Sequence, residues 1–144
     1  MRRPTRTRRS ERGQSLVEFA LVAQVFLLLC FLVYQGGVVW FDKLALEQGT
    51  RDAARKAAVN RTLGPAGMSS VAIAAMQQTG ASLDNSYLAT HTTVTSQDDP
   101  YAPDGVTWGQ GDLLTVSSQY PYSIGIFGLN ITGTLTASTT ERIE

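Results

Sequence analysis

The chain has one cysteine and one histidine, and no charge anywhere from Phe19 to Phe41. The lone Cys30 excludes an intrachain disulfide and reads as a small apolar filler. His91, without a second histidine, gives no histidine metal cluster, and no nucleophile–base motif accompanies it. The acidic residues Asp98, Asp99, Asp104 and Asp112 lack the spacing of a calcium-binding EF-hand loop and read as a turn-rich acidic loop. Gly109-x-Gly111 and Gly125-x-x-Gly128 lack the strand–glycine–helix context of a phosphate loop. No internal repeat and no low-complexity tail is present. Residue by residue, nothing supports an enzyme, a cofactor or a catalytic metal.

Charge is present but unevenly placed. The whole chain is formally neutral, with 12 basic and 12 acidic residues. Residues 1–13 hold Arg2, Arg3, Arg6, Arg8, Arg9 and Arg12 against Glu11 alone. Removing that segment takes six of the 12 basic and one of the 12 acidic residues, leaving a formal charge of −5. Such a product is not a nucleic-acid binder, which needs a basic face.

The apolar run is of membrane length. Leu16 to Phe41 is 26 residues, roughly 39 Å of helix at about 1.5 Å per residue. That exceeds a hydrocarbon core of about 30 Å. The arginine block predicts a cytoplasmic N-terminus and an exported C-terminal part. Tyr34, Trp40 and Phe41 fit the outer interfacial belt. A secretory signal peptide fits less well, because the run is longer than an apolar signal core and no clean small-x-small site follows it. Glu18 sits at the mouth of this segment, where an ionised side chain is expensive and needs a partner. Ser15-x-x-Glu18 also matches a helix capping box, which needs no partner protein.

Beyond the span, Asp42 to Val59 has no proline and is rich in helix formers, so the helix is expected to continue outside the membrane. Glu47–Arg51 and Asp52–Lys56 are acidic-to-basic pairs at i,i+4. Gly49, Ala53, Ala54, Ala57 and Ala58 form a small-residue stripe that permits close approach of another element. Gly36-Gly37 marks a place for a bend, and Gly64-Pro65 a turn. A second, shorter helix is predicted over 66–79, with Met68, Val71, Ala72, Ala75 and Met76 at helical spacing and Gly80 as its stop. Alternation in Leu88-x-Thr90-x-Thr92-x-Val94, Leu114-x-Val116-x-Ser118-x-Tyr120 and Ile131-x-Gly133-x-Leu135-x-Ala137 predicts three antiparallel strands. That places His91 on the first strand. The small sheet is expected to pack its apolar face on the second helix and the outer part of the first. Pro121 to Leu129 reads as a loop between the last two strands. Its apolar residues Ile124, Ile126, Phe127 and Leu129 either close the core or form an exposed patch that docks on a partner or the membrane surface. The fold class is α+β: a long N-terminal transmembrane helix continuing outside the membrane, a second short helix, and a small three-stranded antiparallel sheet.

The run Gly13-Gln14-Ser15-Leu16-Val17-Glu18-Phe19-Ala20-Leu21-Val22 resembles the N-terminal motif of type IV pilin-like proteins. With Asp52-Ala53-Ala54-Arg55-Lys56-Ala57-Ala58 it resembles the TadE-like minor pilins, or pseudopilins, of tight-adherence (Tad, or Flp) pili. The closing segment 135–144 is similar to that family's C-terminal strand. Gln24 stands where the family often has proline. The resemblance implies cleavage by a prepilin peptidase between Gly13 and Gln14. Glu18 then becomes the fifth mature residue, an assembly carboxylate that meets the α-amino group of a neighbouring subunit.

These expectations define a leader over residues 1–13, a transmembrane helix over 14–41 and an exported head over 42–144. They imply a single-pass protein of the bacterial cytoplasmic membrane, incorporated in a surface pilus. Its partners would be the prepilin peptidase, other pilins and Tad assembly proteins, and membrane lipid. The alternative is an uncleaved single-pass anchor whose exported head binds a ligand or cell-wall partner.

Overall fold

The computed structural model describes residues 9–80, 82–126 and 128–144, with backbone alone at 9–12 and 126. The elements run α1 (Arg9–Val59), a 3-10 turn (Arg61–Leu63), α2 (Gly64–Thr79), α3 (Asn85–His91), β1 (Thr92–Gln97), β2 (Leu113–Ile126) and β3 (Leu129–Arg142). The chain divides into two compact units, Met1–Val38 and Val39–Glu144. The expected leader residues 1–8 lie outside the described residues.

In the first unit α1 is a single helix whose apolar side chains, among them Leu16, Phe19, Leu21 and Phe26, are exposed. It passes through Gly36 and Gly37 without a break in helical structure. In water such a surface is unfavourable; in lipid it is what an all-round apolar helix requires, because every backbone group is already bonded within the helix.

In the second unit the same helix changes character. Ala45, Leu46, Thr50, Ala53, Ala54, Ala57 and Ala58 are buried, and Gly49 with them. These positions recur at three and four residues and form one narrow stripe. Opposite it, α2 buries Met68, Ala72, Ala75 and Met76. A methyl group at Gly49 would stand 2.6 Å from Met76 Sδ, so glycine is what lets the two helices touch there. The large buried side chains Leu46, Met68, Met76, Leu88 and Leu114 contribute about 1.5–3 kcal/mol each by leaving water. Asn60 ends α1, its side chain donating to Lys56 O at 2.7 Å. Gly64 then turns the chain at φ 69°, and Pro65 falls in the first turn of α2, where a missing N–H is harmless.

The sheet has the order β1-β2-β3, all antiparallel, as expected. Its inner face carries Val94, Leu114, Val116, Tyr120, Leu135 and Ala137, which pack on or into the helical core. Its outer face is a threonine and serine ladder, in which Thr93 pairs with Ser117 at 2.7 Å and Thr115 with Thr140 at 2.8 Å.

Two expectations about this region are corrected. The first strand begins at Thr92, not Leu88, because Asn85–His91 forms α3. Asp84 caps that helix by accepting from Ser86 N and Tyr87 N. The Ser86 hydroxyl and these two backbone donors hold the Asp84 carboxyl below its ordinary pKa. His91 is therefore the last residue of a helix, stacked on Tyr87 with ring centroids 3.7 Å apart. Leu88 and Thr92 are both buried; four residues apart, they satisfy helical spacing as well as alternation.

The second correction concerns Pro121–Leu129, which is not a loop. β2 continues to Ile126 and β3 begins at Leu129, so only residues 127 and 128 connect them. Gly128 takes φ 82°, the left-handed region a tight hairpin needs. Pro121 is tolerated inside β2 because β1 pairs no further than Ser118, leaving that edge free of a ladder partner.

The close approach at Gly49 has a measurable consequence. Gly49→Leu is expected to destabilise the second unit by about 1–3 kcal/mol through overpacking against Met76, read as a lowered unfolding midpoint; Gly37→Leu, with open space around its backbone, is the control expected to leave that midpoint unchanged.

Candidate functional site

The sequence places the chemistry at the N-terminal end of α1, and the structure builds it as continuous helix. Gly13, Gln14 and Glu18 are all helical and exposed. Gln14 Nε2 donates to Glu18 Oε1 at 3.3 Å, an i,i+4 contact on one helix face. Glu18 is the one charged residue between Gly13 and Phe41. α1 already runs from Arg9, so in the uncleaved chain Ser15 and Glu18 stand inside the helix rather than at its first turn. A methyl group added at Gly13 would meet nothing within 4 Å. Packing among the described residues therefore gives no reason for glycine at that position.

The candidate partner residues on the hairpin separate. Ile124 is half-buried on β2, opposite Ile131. Ile126 pairs with Leu129 through its backbone, and Phe127 lies outside the described residues. Leu129 and Ile131 are 72% and 54% exposed.

Three of the four aspartates of the acidic loop come together in the structure. Among the described residues, carboxylate oxygens of Asp98, Asp104 and Asp112 lie within 4.8 Å of one another. Each also fastens the 98–112 loop by accepting backbone N–H groups: Asp98 from Asp104 and Gly105, Asp104 from Val106, and Asp112 from Asp99 and Gly109. Spacing alone hides this set, because Asp112 arrives from beyond three positive-φ residues, Gly105, Trp108 and Gly111. Asp99 points the other way. It is 7% exposed and pairs with Arg142, whose Nε also donates to Gly111 O at 2.9 Å. Backbone bonds between Gly111 and Ile143 and between Ile143 and Asp112, each 2.8 Å, complete the junction. The acidic loop is thus stapled to the end of β3.

Truncating that staple tests its weight. Arg142→Ala leaves a nearly buried carboxylate without its cation and is expected to cost about 1–3 kcal/mol, with faster hydrogen exchange at the amides of Gly109 and Gly111 as the local readout.

No curated protein and no solved structure matches the chain. Residues 13–55, which carry Gly13, Glu18, the apolar run and the first half of the alanine stripe, match the family model described as TadE-like protein, consistent with a TadE-like pilin of the Tad system.

Proposed function

We propose that the chain is a minor pilin, or pseudopilin, needed to assemble a tight-adherence pilus. In this reading it is inserted with its N-terminus in the cytoplasm and its head exported. A prepilin peptidase cuts between Gly13 and Gln14, and the product joins other pilins and Tad assembly proteins. The role is structural rather than enzymatic.

The observation that carries the reading is Glu18, an isolated carboxylate at the mouth of an exposed apolar helix, five residues past a glycine. In water the Gln14 amide is an adequate partner. In lipid it leaves most of the carboxylate's desolvation uncompensated. Cleavage before Gln14 creates a positive α-amino group at the same end of the helix. Pairing that amine with Glu18 of the next subunit offsets part of both desolvation costs and sets subunit register. The glycine supports the same reading. A peptidase needs an extended segment, and glycine inside a helix costs about 1 kcal/mol relative to alanine, which eases local unwinding. Among the described residues, nothing around Gly13 requires the absence of a side chain for packing.

The mature N-terminus is expected at Gln14 by mass spectrometry of protein from peptidase-positive cells, and Gly13→Asp is expected to block the cut. Recovery of chains with an intact residue 1 from those cells would refute processing.

Glu18→Ala is expected to be inserted and cleaved normally yet to fall out of the pilus fraction. The neighbouring amine is then left buried and unpaired, at about 3–5 kcal/mol per contact. Normal incorporation of the mutant would show that Glu18 is not the assembly group.

A further inference from the structure

Gln24 and Gln35 are the carboxamides of the apolar run Leu16–Phe41, and the proposed function uses neither. Measured from the middle of that run, they lie roughly 7 and 10 Å away at about 1.5 Å of rise per residue. Both depths fall inside the half-thickness, about 15 Å, of a hydrocarbon core. Each amide carries an acceptor oxygen and two N–H donors. Where water is absent, an amide bonded to nothing is costly.

The helix itself offers them no partner. A side chain on a helix reaches the positions three and four residues away. Around Gln24 these are Ala20, Leu21, Leu27 and Leu28; around Gln35 they are Phe31, Leu32, Val38 and Val39. All are apolar. The backbone carbonyls nearby belong to the hydrogen-bond ladder of α1. Gln24 is exposed and Gln35 half-buried, and among the described residues neither side chain has a hydrogen-bond partner.

The two amides share one face of α1. Eleven residues separate them, which at about 100° per residue is roughly 20° past three full turns. Ala20, Leu28, Phe31 and Val38 fall within about 40° of the same line, so an apolar stripe joins the amides. Glu18 falls roughly 120° away from Gln24 around the axis. The face is therefore distinct from the one that carries the assembly carboxylate.

We propose that α1 pairs inside the membrane with α1 of a second copy of this chain, parallel and in register, along the seam of Gln24 and Gln35. The choice of partner follows from the chemistry of the amide. A carboxamide is both donor and acceptor, so it is its own complement. Copies held by the same arginine-rich end share one orientation and lie parallel. Identical depth then follows at both positions, so that Gln24 meets Gln24 and Gln35 meets Gln35. Any other helix would have to carry polar groups at both depths and on one face. Glu18 stays outside the seam, open to its own partner. The inference rests on α1 being the membrane anchor, and not on leader cleavage or on the role of Glu18.

The test uses the full chain, purified and reconstituted alone in phosphatidylethanolamine–phosphatidylglycerol vesicles at low protein-to-lipid ratio. Leu28→Cys and Phe31→Cys place single thiols on the seam, and Val33→Cys places one on the opposite side, each in a Cys30→Ser background. Oxidation with copper–phenanthroline is expected to give disulfide-linked dimers at 28 and 31 and none above background at 33. Gln24→Leu together with Gln35→Leu is expected to weaken the dimer constant about ten-fold, read from the linked fraction on dilution with lipid, since each interhelical amide contact is modest. Gln24→Asn with Gln35→Asn keeps both amides and is expected to keep the dimer. Equal linking at 31 and 33 overturns the seam, and a dimer indifferent to the leucine pair overturns the part played by the amides. A membrane-impermeant maleimide separates the remaining failures. Thiols shielded from it that still form no dimer leave the anchor standing and overturn the second copy as partner. Thiols at 31 and 33 that react with it overturn the anchor and the seam together.

Discussion

One helix carries two kinds of surface, and the rest of the structure depends on how it divides them. Over its first part α1 is apolar on every side, which suits lipid because the helix bonds all its own backbone groups. From Ala45 onward it presents one narrow stripe of glycine and alanine to a protein core and keeps charge on the other faces. Small side chains let α2 approach closely, with Gly49 and Met76 at the tightest point. Burial energy then comes from the larger residues around the stripe rather than from the stripe itself.

The sheet completes the unit by different means on its two faces. The inner face supplies Leu114, Val116 and Ala137 to the core. The outer face satisfies itself with hydroxyl pairs across strands, a cross-strand contact worth a fraction of a kcal/mol each. The 98–112 loop is held by its own carboxylates and by Arg142. That arrangement uses Asp98, Asp104 and Asp112 as fasteners for backbone N–H groups. It also explains why a stretch with so little regular structure joins two paired strands without loosening them.

Function follows from the same division. The N-terminal end of α1 carries a carboxylate and a glycine that the folding of this chain does not use. Glu18 has a weak local partner in Gln14, and Gly13 has open space around it. In the proposed function these underused groups are the ones taken for processing and assembly. In the second unit, Leu129 and Ile131 are likewise exposed beyond the last pair packed on the core.

The sequence by itself determined what depends on local pattern. The apolar run, the continuation of α1, the alanine stripe, α2 with its stop near Gly80, and the central alternation of β2 and β3 were all legible, because periodicity and composition act within a few turns or residues. The tertiary structure decided what depends on distant partners. Leu88–Val94 alternates like a strand, yet the Asp84 cap and the burial of Leu88 make its first half helical. Pro121 reads as the start of a loop, but it lies in a strand because β1 stops pairing at Ser118. Asp112 joins Asp98 and Asp104 only after the chain has turned back at Trp108 and Gly111. In the last two cases the local sequence permits more than one conformation, and contacts made far along the chain select one.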